Sequence, residues 1–583
     1  MKKVFAILLC FVIVGAVFAA GGRQQEPAGP KIYRFSETGD VATLNAHMNT
    51  STVVSDVYAF VHTGLYLRVP GPDRRNPSSI VVPSIASDEP IRINDRTWHI
   101  PIRRDATFHN GSPINAHTFE YSYRMLLDPL LVNSMANFMF GGQIDIVNGQ
   151  AYFQQNQPGR SPVAWSDVGI RAVNDYMLEI RTIQIWDAED VKRHFLDRSL
   201  MPVYEPYYEA GMNAARTQTT YGATLDSLML AGPFFFDTWV PDALRIYTRN
   251  YDHWMSRYYH FDRAEARITP DRNARVQLFE NGEIDVLGLD AVTYDLFRDD
   301  PRTRLSYGIT PQHIDINVRN PNNPILANVN FRRALYWAMD RETIARIAGD
   351  QQPSPYYVHY EAAVIIDGQT VFYRESPEGL ANVNPNYGYD PVRARQYFDL
   401  AMQQQGQSFA SVELFYSEAS ASTRVVAELL QQTLPTIFGA NRFELTLRAV
   451  PAATFGAARD YVNQPTGHDM NFNGWGATAS RTRPHRVFMY NIASYPEPMR
   501  PNSLLIPEFD RIFEEADTEE SRMNPRRVLQ LTGELERIYL DQVMQIPLWQ
   551  GVAYTVYSER LITPFDQWIP LLGWGAIFAD IRN

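Results

Sequence analysis

The run Gly474-Trp475-Gly476-Ala477-Thr478-Ala479 is the first candidate for chemistry. A glycine-rich turn that opens a helix can cradle a phosphate. No strand–turn–helix pattern surrounds this one, so it does not read as dinucleotide binding. The chain has no Gly-x-Ser-x-Gly elbow, no His-Glu-x-x-His pair and no phosphate loop ending Gly-Lys-Ser/Thr. The nearest two of the twelve histidines, His253 and His260, are seven apart. That places them near one helical face but is not a metal-ligand spacing. Carboxylate pairs such as Glu283 and Asp285, Asp299 and Asp300, or Glu519 and Glu520 suit solvated faces in a chain with 65 acidic residues. No catalytic constellation emerges, and no cofactor or metal is expected. A secreted hydrolase would need two positioned carboxylates or a nucleophile–base pair, and no motif supplies either, so it stands as a rival class only. Arg481, Arg483 and Arg486 follow the glycine run. A guanidinium fork there could clamp a ligand carboxylate.

Helices and strands that could position such groups alternate along the chain. Asn115 caps a helix whose Ala116, Phe119, Tyr123, Leu126 and Leu127 share a face, and Pro129 ends it. Ala334, Leu335, Ala338 and Met339 mark a helical face within 328–346. Asp390-Pro391 and Asn524-Pro525 each place a cap residue before a proline at the first helical position. Trp98–Ile102, Leu244–Tyr247 and His313–Val318 read as strands, the last with clean alternation. This interspersion gives an α/β or α+β class.

Composition sets the compartment and excludes some partners. The 583 residues are 45% hydrophobic and 20% charged, with a net charge of −12. That is globular, and acidic enough to argue against nucleic acid. Lys2-Lys3, the uncharged run Val4–Phe18 and small residues at Val17 and Ala19 predict a cleaved signal peptide over 1–19. Cys10, the single cysteine, lies inside the apolar run behind Leu9, so lipid anchoring is not expected. The mature chain then has no disulfide. A periplasmic monomer is expected.

Seven segments, in order, resemble the extracellular solute-binding proteins of ABC importers (solute-binding protein family 5). This is the peptide/nickel-binding family that includes oligopeptide- and dipeptide-binding proteins. The segments are Phe108–Ala116 with Tyr121 and Asp128-Pro129; Gly232-Pro233-Phe234 with Trp239, Arg249-Asn250 and Trp254; and Asn281–Asp285. Next come Asn317 with Asn330–Leu335 and Ala338–Arg341; Tyr389–Ala394; Gly474-Trp475; and Ile546-Pro547-Leu548. The resemblance implies the two-lobed type II periplasmic-binding-protein fold, in its three-domain variant. Domain I would take 31–66, 165–312 and 546–583; domain II would be inserted at 67–164; domain III would span 313–545, with Ile314–Val318 beginning a crossover. It also implies a hinged clamshell that captures an oligopeptide-like solute and hands it to ABC permease and ATPase subunits.

By the same resemblance, a ligand backbone would pair with two extended segments. These are Asn49, Thr50, Ser51 and Thr52, and Asn473, Gly474, Trp475, Gly476, Ala477 and Thr478, with Arg481 and Arg483 nearby. Peptide binders of the family carry an Asp three residues after the Trp, for the ligand's amine. Here Thr478 stands there, and a hydroxyl supplies no counter-charge. Another acid must serve the amine, or the ligand is an oligosaccharide stacking on aromatic rings. Either way, Trp475→Ala is expected to weaken solute binding by at least ~1 kcal/mol. Calorimetry on the folded variant checks this, and unchanged affinity removes Trp475 as a platform.

Overall fold

The computed structural model describes residues 29–41, 43–48, 52–71, 79–140, 144–366, 369–418, 420–451, 454–474, 483–493, 503–566, 568–569 and 572–582. The expected signal peptide lies outside these residues. Eleven strands form one mixed sheet. One half holds Ile32–Glu37, Phe234–Val240, Leu244–Arg249, Arg263–Ile268 and Val286–Leu289. The other holds Ala410–Ser417, Phe443–Val450 and Met470–Gly474. Two long antiparallel strands, Thr303–Ile316 and Ile546–Tyr557, join the halves, and the short eleventh strand, Gln352–Pro353, pairs with the second of them. At ~3.3 Å per residue, the first of these is long enough to belong to both.

This crossover strand starts ten residues before the expected His313, so the boundary placed at 312/313 falls inside it. Its pairing with Ile546–Tyr557 is regular from Thr303 to Tyr307, breaks, and resumes at Pro311. Gly308 and Gly551 face each other at the break. A Cβ on Gly308 would lie 3.0 Å from the Gly551 carbonyl oxygen. Gln550 Nε2 donates to the Gly308 carbonyl at 2.5 Å.

Each half anchors its own core. In the first body, Phe60 stacks on Tyr247 at 4.8 Å and Phe234 on Phe261 at 5.1 Å. A second core in that body lies under the helix Ala116–Leu126. It is covered by a four-stranded sheet in the order Ile91–Asn94, Thr97–Pro101, Met177–Arg181, Ile170–Asn174. Two of these strands lie beyond residue 164, the end expected for the inserted domain. The second body packs Phe331, Phe398, Phe438 and Phe443 in one cluster and Tyr357, Phe488, Phe509 and Tyr539 in another.

The recurrent segments are accounted for locally. Asn115 and Thr118 form a reciprocal capping box. Asp390 and Asn524 cap Pro391–Gln405 and Pro525–Asp541. The region 328–346 splits into Val329–Ala338 and Arg341–Ile347, because Asp340 starts a new helix by accepting from Thr343 N–H. Arg332 and Arg341 are buried and bind main-chain oxygens rather than acids. Arg332 reaches Ala327 and Gln542, at 2.7 and 2.9 Å; Arg341 reaches Pro547, at 2.7 Å. Burial pulls both guanidinium groups down to about 10. At Gly232 any Cβ would fall 2.0 Å from the Val61 carbonyl carbon, so only glycine permits that approach.

Histidine burial makes the fold acid-sensitive. Desolvation pushes His47, His62, His194 and His253 down to about 3, and His468 and His485 to about 4. Their folded values lie below the unfolded value near 6.5. Their stabilisation is therefore complete above ~6.5 and is lost as pH falls toward 3–4. Asp56, raised to about 6 by burial, acts in the opposite direction. The histidines outnumber it. Urea midpoints are expected to drop between pH 7 and pH 5, with about 2 kcal/mol from each such histidine taken alone.

Candidate functional site

The strand Met470–Gly474 runs between Ala410–Ser417 and the crossover strand. Asn473 lies opposite His313, and Gly474 opposite Gln312. Both expected site residues therefore sit at a strand end beside the break in the crossover. A Cβ on Gly474 would meet Gln312 Nε2 at 2.3 Å, so a side chain there would displace Gln312.

A buried polar network fixes this strand end. Asp315, 2% exposed, takes Asn473 Nδ2 at 2.7 Å and Asn471 Nδ2 at 3.4 Å, together with the Gln545 amide. His313 Nε2 lies 3.1 Å from the same carboxylate, and its Nδ1 lies 3.1 Å from the Pro311 carbonyl. Gln545 Oε1 in turn accepts from Asn491 and from the Tyr539 hydroxyl, both at 3.0 Å. Asn473 Oδ1 accepts the Gly474 N–H and Arg459, both at 2.9 Å. The Asn473 side chain thus acts inside the protein, shaping the backbone that leads into residue 475. Trp475, Gly476, Ala477, Thr478 and Arg481 lie outside the described residues.

The chain leading into the other expected segment is held by Ser134 and Met135. Met135 N–H donates to the His47 carbonyl at 3.1 Å and Ser134 Oγ to the Met48 carbonyl at 2.6 Å. Asn49, Thr50 and Ser51 lie outside the described residues. Thr52 opens the helix Thr52–Val61.

Arg483 is not beside Asn473 as a free cation. Its guanidinium donates to Asp190 of the first body at 2.6 Å and lies 4.2 Å from the centre of the Trp186 ring. Two features escaped the sequence reading. One is the Asp315 network, whose only signal was an acid inside an alternating apolar strand. The other is a half-buried aromatic group, Tyr307, Tyr360 and Trp568, with ring centres 5.2 and 5.3 Å from Tyr307. Its members are 53 and 208 residues from one another in sequence, with no local pattern to link them.

A family model described as bacterial extracellular solute-binding proteins, family 5, middle region, matches residues 81–494. The chain belongs to this family. Among relatives of the family 5 chain, the dipeptide-binding protein DppE of Bacillus subtilis is 24% identical, over 67% of this chain and 70% of its own. The dipeptide-binding protein of Lactococcus lactis subsp. cremoris is 22% identical over 81% of each. The substrate-binding domain of an oligopeptide ABC transporter from Bacillus anthracis superposes with a TM-score of 0.67 at 17% identity, covering 95% of this chain and 99% of that one. The fold is the two-lobed solute-binding fold, and the role of this family member is solute binding. Among the described residues, no group of three His, Cys, Asp or Glu side chains could hold a metal ion.

Removing the Asp315 carboxylate would leave the amides of Asn473 and Gln545 buried without an acceptor. Asp315→Ala is expected to lower stability by about 3 kcal/mol or more, read as a shift in urea midpoint.

Proposed function

We propose that this chain is the periplasmic substrate-binding component of an ABC importer. It captures an oligopeptide-like solute between its two lobes and delivers it, chemically unaltered, to the membrane permease. The observation that carries this reading is the geometry around Gly474. A strand fixed by Asp315 pairs with the crossover strand up to Gly474, next to the register break in that strand. Backbone N–H and C=O groups beside such a break can pair with an extended ligand, as added-strand recognition requires. The relatives named as dipeptide-binding proteins support a peptide-like ligand. The domain division proposed is the one read from sequence, with the inserted unit extended to include Ile170–Asn174 and Met177–Arg181. Export through a cleaved signal peptide over 1–19 and action as a monomer belong to the same reading.

The mechanism is bending at the crossover. Solute contacts made in both lobes exist only when the lobes close, so the solute stabilises that arrangement by its differential affinity for it. Backbone pairing serves any peptide sequence, and specificity falls to side-chain pockets.

The second reading is an oligosaccharide ligand. It is favoured by Thr478 in place of an acid, and by the ring faces of Tyr307, Tyr360 and Trp568. Titration calorimetry with a defined tripeptide pool and a set of cello- and xylo-oligosaccharides separates the two. Heat is expected with peptides, and mass spectrometry is expected to recover them uncut. Heat with sugars alone replaces the first reading by the second, and cleaved products replace both by a hydrolase.

A further inference from the structure

The two bodies also meet far along the chain from the crossover, across one compact group of side chains. Trp186 belongs to a core of the first body and is 5% exposed. Two arginines of the second body lie against its ring. The guanidinium carbon of Arg483 is 4.2 Å from the ring centre and that of Arg522 is 5.6 Å away. Arg483 donates to Asp190 at 2.6 Å, and Arg522 to Gln184 Oε1 at 2.6 Å. Alongside them Glu519 accepts from Arg96 at 2.6 Å and from the Ile185 N–H at 3.1 Å. On the second body's side, Asp517 holds Arg486 at 2.8 Å, His485 at 3.1 Å and Arg522 at 3.5 Å. Against the opposing effect of burial, the His485 hydrogen bond and the charges of Arg486 and Arg522 keep the Asp517 carboxyl well below the usual carboxylate range. Arg522 is therefore held by its own body as well as by the other.

We infer that Arg483 and Arg522, closing on Trp186 and Asp190, form a charged clasp that stabilises the closed arrangement of the two bodies independently of solute. The inference rests on the two-lobe capture reading, and it assigns Arg483 to closure rather than to a ligand carboxylate. Three features support it. The contacts join segments 293 to 423 residues apart, on two bodies joined by the crossover strands. The cations are nearly dry, with side-chain exposures of 10% for Arg483 and 6% for Arg522, so cation–ring and ion-pair attraction are stronger than at an open surface. Arg483 meets its counter-ion Asp190 across the seam, so closure does not leave it unpaired. Opening would separate these groups and hydrate them. A contact present in only one of two states sets their ratio. The fraction closed without solute then scales the apparent affinity for any solute.

The test uses protein stripped of solute by unfolding and refolding, with small-angle scattering as readout. Arg483→Asp and Asp190→Arg each put like charges at the seam, and the double variant restores an opposite pair. Each single variant is expected to shift the open-to-closed ratio about tenfold or more toward open, within the range measured for close interfacial charge pairs. The double variant is expected to return toward the parent. Arg522→Met, which keeps bulk and removes charge, is expected to shift the same way while retaining the parent's circular dichroism. Parent-like scattering from all three single variants overturns the clasp. So does a double variant as expanded as the singles, because the effect would then be local damage rather than pairing. No solute enters the measurement, so a failure of the peptide reading in calorimetry leaves this result standing, and the reverse also holds.

Discussion

Backbone hydrogen bonding across one pair of strands is the constraint on which the molecule depends. Thr303–Ile316 and Ile546–Tyr557 belong to both halves of the sheet, so neither body can move without bending that ladder. A regular antiparallel ladder resists bending. This one is interrupted between Tyr307 and Pro311, where two glycines face each other. Stiff pairing on both sides of a short irregular stretch concentrates deformation in that stretch. Gly474 pairs with Gln312, within a few residues of that stretch, so the strand Met470–Gly474 lies close to the axis of any bend.

Around this axis, buried charge serves geometry. Arg332 and Arg341 tie helices of the second body to the carbonyls at either end of the turn into Ile546–Tyr557. Glu536, inside the helix Pro525–Asp541, accepts from the N–H groups of Tyr357 and Val358, from the Tyr373 hydroxyl and from Arg374. Asp315 does the same for the strand Met470–Gly474. In each case a charged side chain collects several donors or acceptors from segments remote in sequence, so its desolvation is offset and the segments are held in register. The acid sensitivity of the buried histidines follows from the same preference for dry, fully partnered interiors.

Much of the fold was legible because caps, turns and alternation act locally. Asn115, Asp390, Asn524 and the strands at Trp98 and Leu244 could be read from a few neighbouring residues. Family membership followed from seven such local signatures in order. The crossover strand was cut short in the reading because Gly308 and Pro311 look like breakers, whereas pairing with Ile546–Tyr557 overrides them on both sides. The strands Ile170–Asn174 and Met177–Arg181, beyond the boundary read at 164, join the four-stranded sheet only through long-range pairing that leaves no local pattern. At the site, Asn473 and Gly474 were placed by motif. Their support by Asp315, and the partners of Arg483, depend on contacts more than 150 residues apart and left no pattern along the chain.

The order of the strands has a consequence for how such a molecule comes into being. Ile32–Glu37 waits for Arg263–Ile268 and Val286–Leu289 before it has neighbours, and the ladder linking the halves needs Ile546–Tyr557, which is synthesised long after its partner Thr303–Ile316. Ribosome-bound intermediates therefore cannot complete the sheet, and assembly is slow because its decisive pairings are so distant in sequence. In a family of extracellular proteins, that delay leaves the two halves unjoined, and the chain free to unfold, until Ile546–Tyr557 has emerged.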